Sequence, residues 1–81
     1  MTDKFEDQRF LRAADIVENP EIVEKIRGRY QMIGDLSMKG MFHNLDRAIK
    51  IMAENGWRAS GITVASGAPD VAMVLMERVS K

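Results

Sequence analysis

The residues best placed for chemistry lie in the connection that precedes a predicted central helix. Lys39, Gly40, His43 and Asn44 stand just before or at its start. Free backbone N–H groups and the helix dipole favour an anion at a helix N-terminus, and Lys39 and His43 could add donors. This predicts a phosphate or carboxylate site. The alternative is that these residues only cap the helix and form the turn, since no Walker-type or dinucleotide fingerprint accompanies them.

His43 is also the only histidine, and general acid–base catalysis would require a carboxylate or a nucleophile beside it. Asp46 is spaced for a local hydrogen bond at the helix start instead. Ser60, Ser66 and Asp70 complete no recognisable triad spacing, and the chain has no cysteine. We therefore expect no enzymatic activity, no metal centre and no cofactor.

Methionine is frequent, with seven in the chain. Thioether side chains fill irregular cores and also suit adaptable binding surfaces, so both roles stay open. The second role predicts a dimer or partner surface that includes Met73 or Met76. A soft-metal site is a third possibility, because Met38–Met41 and Met73–Met76 each have Met-x-x-Met spacing. In a strand, however, that spacing points the two sulfurs to opposite faces.

Trp57 could stack on a nucleic-acid base, or it could be a large side chain packed under the helix. Nucleic-acid binding would require further exposed aromatic residues and a basic stripe, whereas the net charge is 0. The basic residues Arg27, Arg29, Arg58 and Arg78 could still cluster in space. Nucleic-acid binding is therefore kept as the second alternative to a protein interaction.

Length and composition predict one globular domain spanning residues 1–81, because 81 residues cannot supply two independent cores. The absence of cysteine removes disulfides, which small secreted domains usually need, and favours a reducing cytoplasm. The acidic N-terminus and the lack of a long apolar run predict neither a signal peptide nor a membrane span.

The first 28 residues are expected to be helical. Asp3 and Glu6 have capping-box spacing, and Asn19-Pro20 interrupts one helix and can begin another. Gly28 can end the second helix. The sequence therefore predicts two short helices or one kinked helix over residues 4–28. The apolar residues with helical spacing in the first part are Phe10, Ala13, Ala14 and Val17.

A β-α-β-β core is expected over residues 30–79. Its first strand, Tyr30–Met38, is weak, with Gly34 marking a potential bulge. Its helix, Leu45–Asn55, has an apolar stripe and a left-handed stop at Asn55-Gly56. The stripe residues are Leu45, Ala48, Ile49 and Met52.

Two further strands, Trp57–Ala65 and Val71–Val79, complete the predicted core. The last is apolar on both faces, which is typical of a central strand. The right-handed crossover rule makes the first two strands parallel, with the last strand between them and antiparallel to both. This predicts an α+β fold with a three-stranded, mostly antiparallel sheet and one main helix on a face. The second face stays bare unless the N-terminal helices or a partner cover it.

A family resemblance rests on the residues Glu54-Asn55-Gly56-Trp57 and Leu75-Met76-Glu77-Arg78. The chain resembles a widespread prokaryotic family of small domains without assigned function. Its members have a strand, a helix ending in Gly-Trp, and a hairpin whose last strand ends in a charged residue followed by Arg. The resemblance covers residues 30–79, implies the same β-α-β-β order, and carries over no catalytic residue. The first 28 residues depart from the family pattern.

Together these features predict a non-catalytic protein-interaction or self-assembly module, acting as a homodimer or with a protein partner. An uncovered sheet face or an unpaired edge strand would form the contact. The main alternative is a regulatory domain that binds a small anionic ligand near Lys39–Asn44.

Overall fold

The computed structural model describes residues 10–38 and 40–79. These residues form an α+β fold around one four-stranded mixed sheet, with strand order β1-β2-β4-β3. The elements in chain order are β1 (Phe10–Arg12), α1 (Ala13–Glu18), a 3-10 helix (Pro20–Lys25), β2 (Tyr30–Ser37), α2 (His43–Ala53), β3 (Trp57–Ala65) and β4 (Asp70–Arg78).

The sheet has four strands rather than the expected three, because Phe10 begins a strand and not a helix. β1 pairs in parallel with β2, and Phe10 lies opposite Met32. The Phe10 ring packs on Gly34, where an added Cβ would lie 2.5 Å from the ring. This long-range contact overrides the local helical spacing of Phe10. The predicted capping box of Asp3 and Glu6 lies outside the described residues.

The predicted break at Asn19-Pro20 is confirmed. α1 ends at Glu18, and Pro20 then occupies the first turn of the 3-10 helix. The Ile22 N–H donates to the Asn19 carbonyl at 2.9 Å, the short-range bond that a 3-10 turn makes. Gly28, after this helix, has a φ of +90°, which favours glycine.

The order of the three predicted strands is also confirmed. β4 lies between β2 and β3 and is antiparallel to both, so β2 and β3 run parallel. The bulge is not at Gly34, whose strand keeps an unbroken register, but in β3 between Ala59 and Gly61. Gly34 instead allows the close approach of Phe10.

Both α-helices pack on one face of the sheet. The α2 stripe is confirmed, since Leu45, Ala48 and Met52 are buried, and the stop at Gly56 has a φ of +90°. The N-terminal helices therefore add to this face and do not cover the second one. The buried hydrophobic core comprises Ala13, Ile16, Val23, Ile33, Leu45, Ala48, Met52, Trp57, Ala72, Val74 and Met76.

The second face carries the alternate strand residues, and neither described α-helix packs on it. Met32 and Leu36 of β2 lie there, opposite Leu75 and Val71 of β4. Gln31, which shares the more polar side of β2, is instead buried against the helices together with Ile33. Asp35 and Ser37 lie on this same side, so the more polar side of β2 faces the core.

Candidate functional site

The predicted anion site lies at the start of α2. Lys39 is outside the described residues, Gly40 has a φ of +72°, and His43 is exposed in the first turn. The half-buried Asn44 precedes Leu45, whose N–H donates to the Asp35 carboxylate at 3.1 Å. A carboxylate of the chain itself therefore occupies the position that an external anion would take.

A second carboxylate lies close to the same turn. The Asp70 Oδ2 atom would be 3.5 Å from a Cβ at Gly40, and its Oδ1 atom accepts a hydrogen bond from the Gly67 N–H at 2.8 Å. Two negative charges beside the α2 start oppose the approach of a third. The described part of this site favours an intact helix cap over a bound phosphate.

The two methionines of the predicted interaction surface lie on opposite faces of β4. Met73 is half-buried on the second face, where it lies between Gly34 and Thr63. Met76 is completely buried beneath the helices. Strand alternation separates the pair, so Met76 belongs to the core and only Met73 remains available to a surface.

β3 exposes apolar side chains along most of its length. Only its first residue, Trp57, is buried, and each later residue of the strand is exposed. Ile62 and Val64 are 64% and 58% exposed, although they lie on the helix-bearing side of the sheet, opposite Val74 and Ala72. No charged residue occurs from Ala59 to Pro69. β3 is also an edge strand, so its outer backbone groups have no strand partner among residues 10–38 and 40–79.

The buried end of β3 is held by Arg78. Its guanidinium carbon lies 4.4 Å from the centre of the Trp57 ring, a cation–π contact. Its Nε and Nη2 atoms donate to the Gly28 and Ile26 carbonyls at 2.9 and 2.7 Å. The residues that carry the family resemblance, Gly56-Trp57 and Arg78, thus meet in one structural cluster, and Trp57 is not a stacking platform.

The positive charges of the arginines near this end of β3 are partly neutralised by nearby acceptor groups. Arg29 and Arg58 lie 4.0 and 3.3 Å from the Glu77 carboxylate, and Arg78 is engaged by Trp57 and two carbonyl groups. Arg27 is exposed. Arg29, Arg58 and Arg78 lie near one another, but Glu77 pairs with two of them and lowers their attraction for a phosphate backbone.

Within the described ranges, no three His, Cys, Asp or Glu side chains converge as a metal site would require. None of the described helices is both long enough and apolar enough to span a bilayer. No family model matches the chain, and neither a curated protein nor a solved structure matches it with significance. The family resemblance stays a prediction.

Proposed function

We propose that this chain is a non-catalytic self-assembly module, in which β3 of one copy pairs with β3 of a second copy. The observation that carries the proposal is the exposed, uncharged edge from Ala59 to Ala65. Natural edge strands are usually blunted by charges, proline, shortness or a covering element. β3 carries one charge, Arg58, near its buried end; from Ala59 onward its only irregularity is the bulge before Gly61.

A second copy of the chain is a fitting partner, because a two-fold axis places the Ala59–Ala65 edge of one copy against the same edge of the other. Because this edge carries no charge, the pairing puts no like charges opposite each other. In an antiparallel pairing centred on Thr63, Ile62 lies opposite the partner subunit's Val64. Two such apolar pairs would be buried on the helix-bearing side, and the two four-stranded sheets would become continuous.

The alternative functions have less support. Asp35 and Asp70 place negative charge at the predicted anion site, and Glu77 offsets the arginines that nucleic acid would need. The predicted compartment is the cytoplasm, because a chain without cysteine cannot form the disulfides that stabilise small secreted domains.

Sedimentation velocity over a range of protein concentrations tests the proposal. The wild-type chain is expected to form a dimer. Val64→Lys places like charges near the two-fold axis and should weaken the dimer at least about tenfold. Val79→Lys is the matched control, because Val79 is 52% exposed and lies beyond the end of β4.

The control should leave the dimer unchanged. A wild-type chain that sediments as a monomer at the highest concentration would contradict the proposal. So would equal weakening by both lysine substitutions, which would indicate a general effect of added charge.

A further inference from the structure

An open groove with a volume of about 330 Å³ lies near the β1 edge of the molecule, in the size range of small-molecule sites. It is formed where the 3-10 helix and the following loop pass beside β1 and the start of β2. We call it the Gln31 groove, and its lining residues are Leu11, Ile22, Lys25, Ile26, Arg27 and Gln31.

The side chain of Gln31 is the unusual member of this lining. It is 1% exposed, and its Nε2 atom donates to the Met32 carbonyl at 2.9 Å. Because that bond requires an N–H donor, it fixes which amide atom is the oxygen. The buried Oε1 atom finds no hydrogen-bond donor among the described residues. An unpaired buried acceptor costs about 1–3 kcal/mol, so a ligand donor that reaches this oxygen on binding would remove that cost.

The rest of the groove has two kinds of side chain. Leu11, Ile22 and Ile26 are half-buried and apolar, whereas Lys25 and Arg27 are exposed cations. The loop that forms one wall is held in place, since Arg78 donates to the Ile26 and Gly28 carbonyls. The groove therefore combines a buried acceptor, apolar walls and positive charge.

We propose that the Gln31 groove binds a small aromatic carboxylate that carries an O–H or N–H donor at the end opposite its carboxylate. The donor bonds to the Gln31 Oε1 atom, the ring packs between Leu11, Ile22 and Ile26, and the carboxylate pairs with Lys25 or Arg27. This site is independent of self-assembly, because β1 and β3 are opposite edges of the sheet.

Isothermal titration calorimetry with 4-hydroxyphenylacetate tests the site, and phenylacetate is the control that lacks only the hydroxyl. The full-length wild-type chain should bind the hydroxylated acid about tenfold more tightly, as expected for one buried hydrogen bond. Gln31→Met keeps the length of the side chain and removes the acceptor. This variant should bind both acids with the same affinity, and its melting temperature should not fall.

Two further variants complete the test. Lys25→Ala with Arg27→Ala should weaken both acids by the same factor, since both ligands have the same carboxylate. Val64→Lys should bind 4-hydroxyphenylacetate as the wild type does, which separates this site from the β3 contact. Equal affinity of the wild type for the two acids, or no binding at millimolar concentration, would overturn the proposal. Retained discrimination in Gln31→Met would overturn it as well.

Discussion

The two edges of the sheet differ in both length and charge. β1 has three residues and carries Arg12, whereas β3 has nine residues and is uncharged from Ala59 onward. A short, charged edge resists pairing, while a long, uncharged edge favours it. If only the long edge pairs, two copies close around a two-fold axis and do not extend into a filament.

A similar contrast exists along β3 itself. Trp57 is buried and contacts Arg78, whereas Ile62 and Val64 are largely exposed. On the proposed function, the anchored end stabilises the monomer and the exposed end forms the contact with the second copy. Substitutions at the two ends should therefore separate folding from assembly.

The largest effect is expected at the anchored end. Arg78→Ala removes two hydrogen bonds to carbonyl groups and the contact with Trp57, so it should lower the free energy of unfolding by about 2–3 kcal/mol. Urea denaturation measures the loss. Arg58→Ala is the control, because the exposed ion pair of Arg58 with Glu77 should contribute less than about 1 kcal/mol. Equal losses would contradict an anchoring role for Arg78.

Gly34→Ala should destabilise the short edge. Its new Cβ would lie 2.5 Å from the Phe10 ring and 3.3 Å from the Ala72 carbonyl, and overpacking of this kind costs about 1–3 kcal/mol. Adding Phe10→Ala should recover part of that loss in a double-mutant cycle. Strictly additive losses would show that Phe10 does not pack on Gly34.

The smallest effect is expected for Arg12→Val, which makes the short edge uncharged. Because β1 offers only three residues for pairing, the dimer should keep its dissociation constant and form no larger species. Sedimentation velocity measures both properties. The appearance of tetramers or fibres would show that charge, and not length, protects this edge.

Local physics explains why part of the fold could be predicted from the sequence. The α2 stripe of Leu45, Ala48 and Met52, the stop at Gly56 and the apolar β4 all depend on neighbouring residues, and each was correct. β1 could not be predicted in this way. Phe10 has helical spacing with Ala13, Ala14 and Val17, whereas the partners of the β1 residues lie more than twenty residues further along the chain.

The candidate sites were harder to predict for the same reason. The cap from Asp35 to Leu45 joins two elements, and the burial of Gln31 depends on which side of β2 the helices cover. Glutamine is usually exposed, so the sequence alone predicts an exposed Gln31. Its burial follows only from the packing of the helices on the sheet. The family resemblance drew attention to Arg78. Nothing in the sequence indicated that its hydrogen-bond acceptors would be carbonyl groups in the loop after the 3-10 helix.

Hydrogen exchange at low and high protein concentration tests the β3 contact most directly. The backbone amides of Gly61–Ala65 that point away from β4 should exchange more slowly at high concentration, while those of Phe10–Arg12 should not change. Slower exchange at Phe10–Arg12, or no dependence on concentration in β3, would contradict pairing through the long edge.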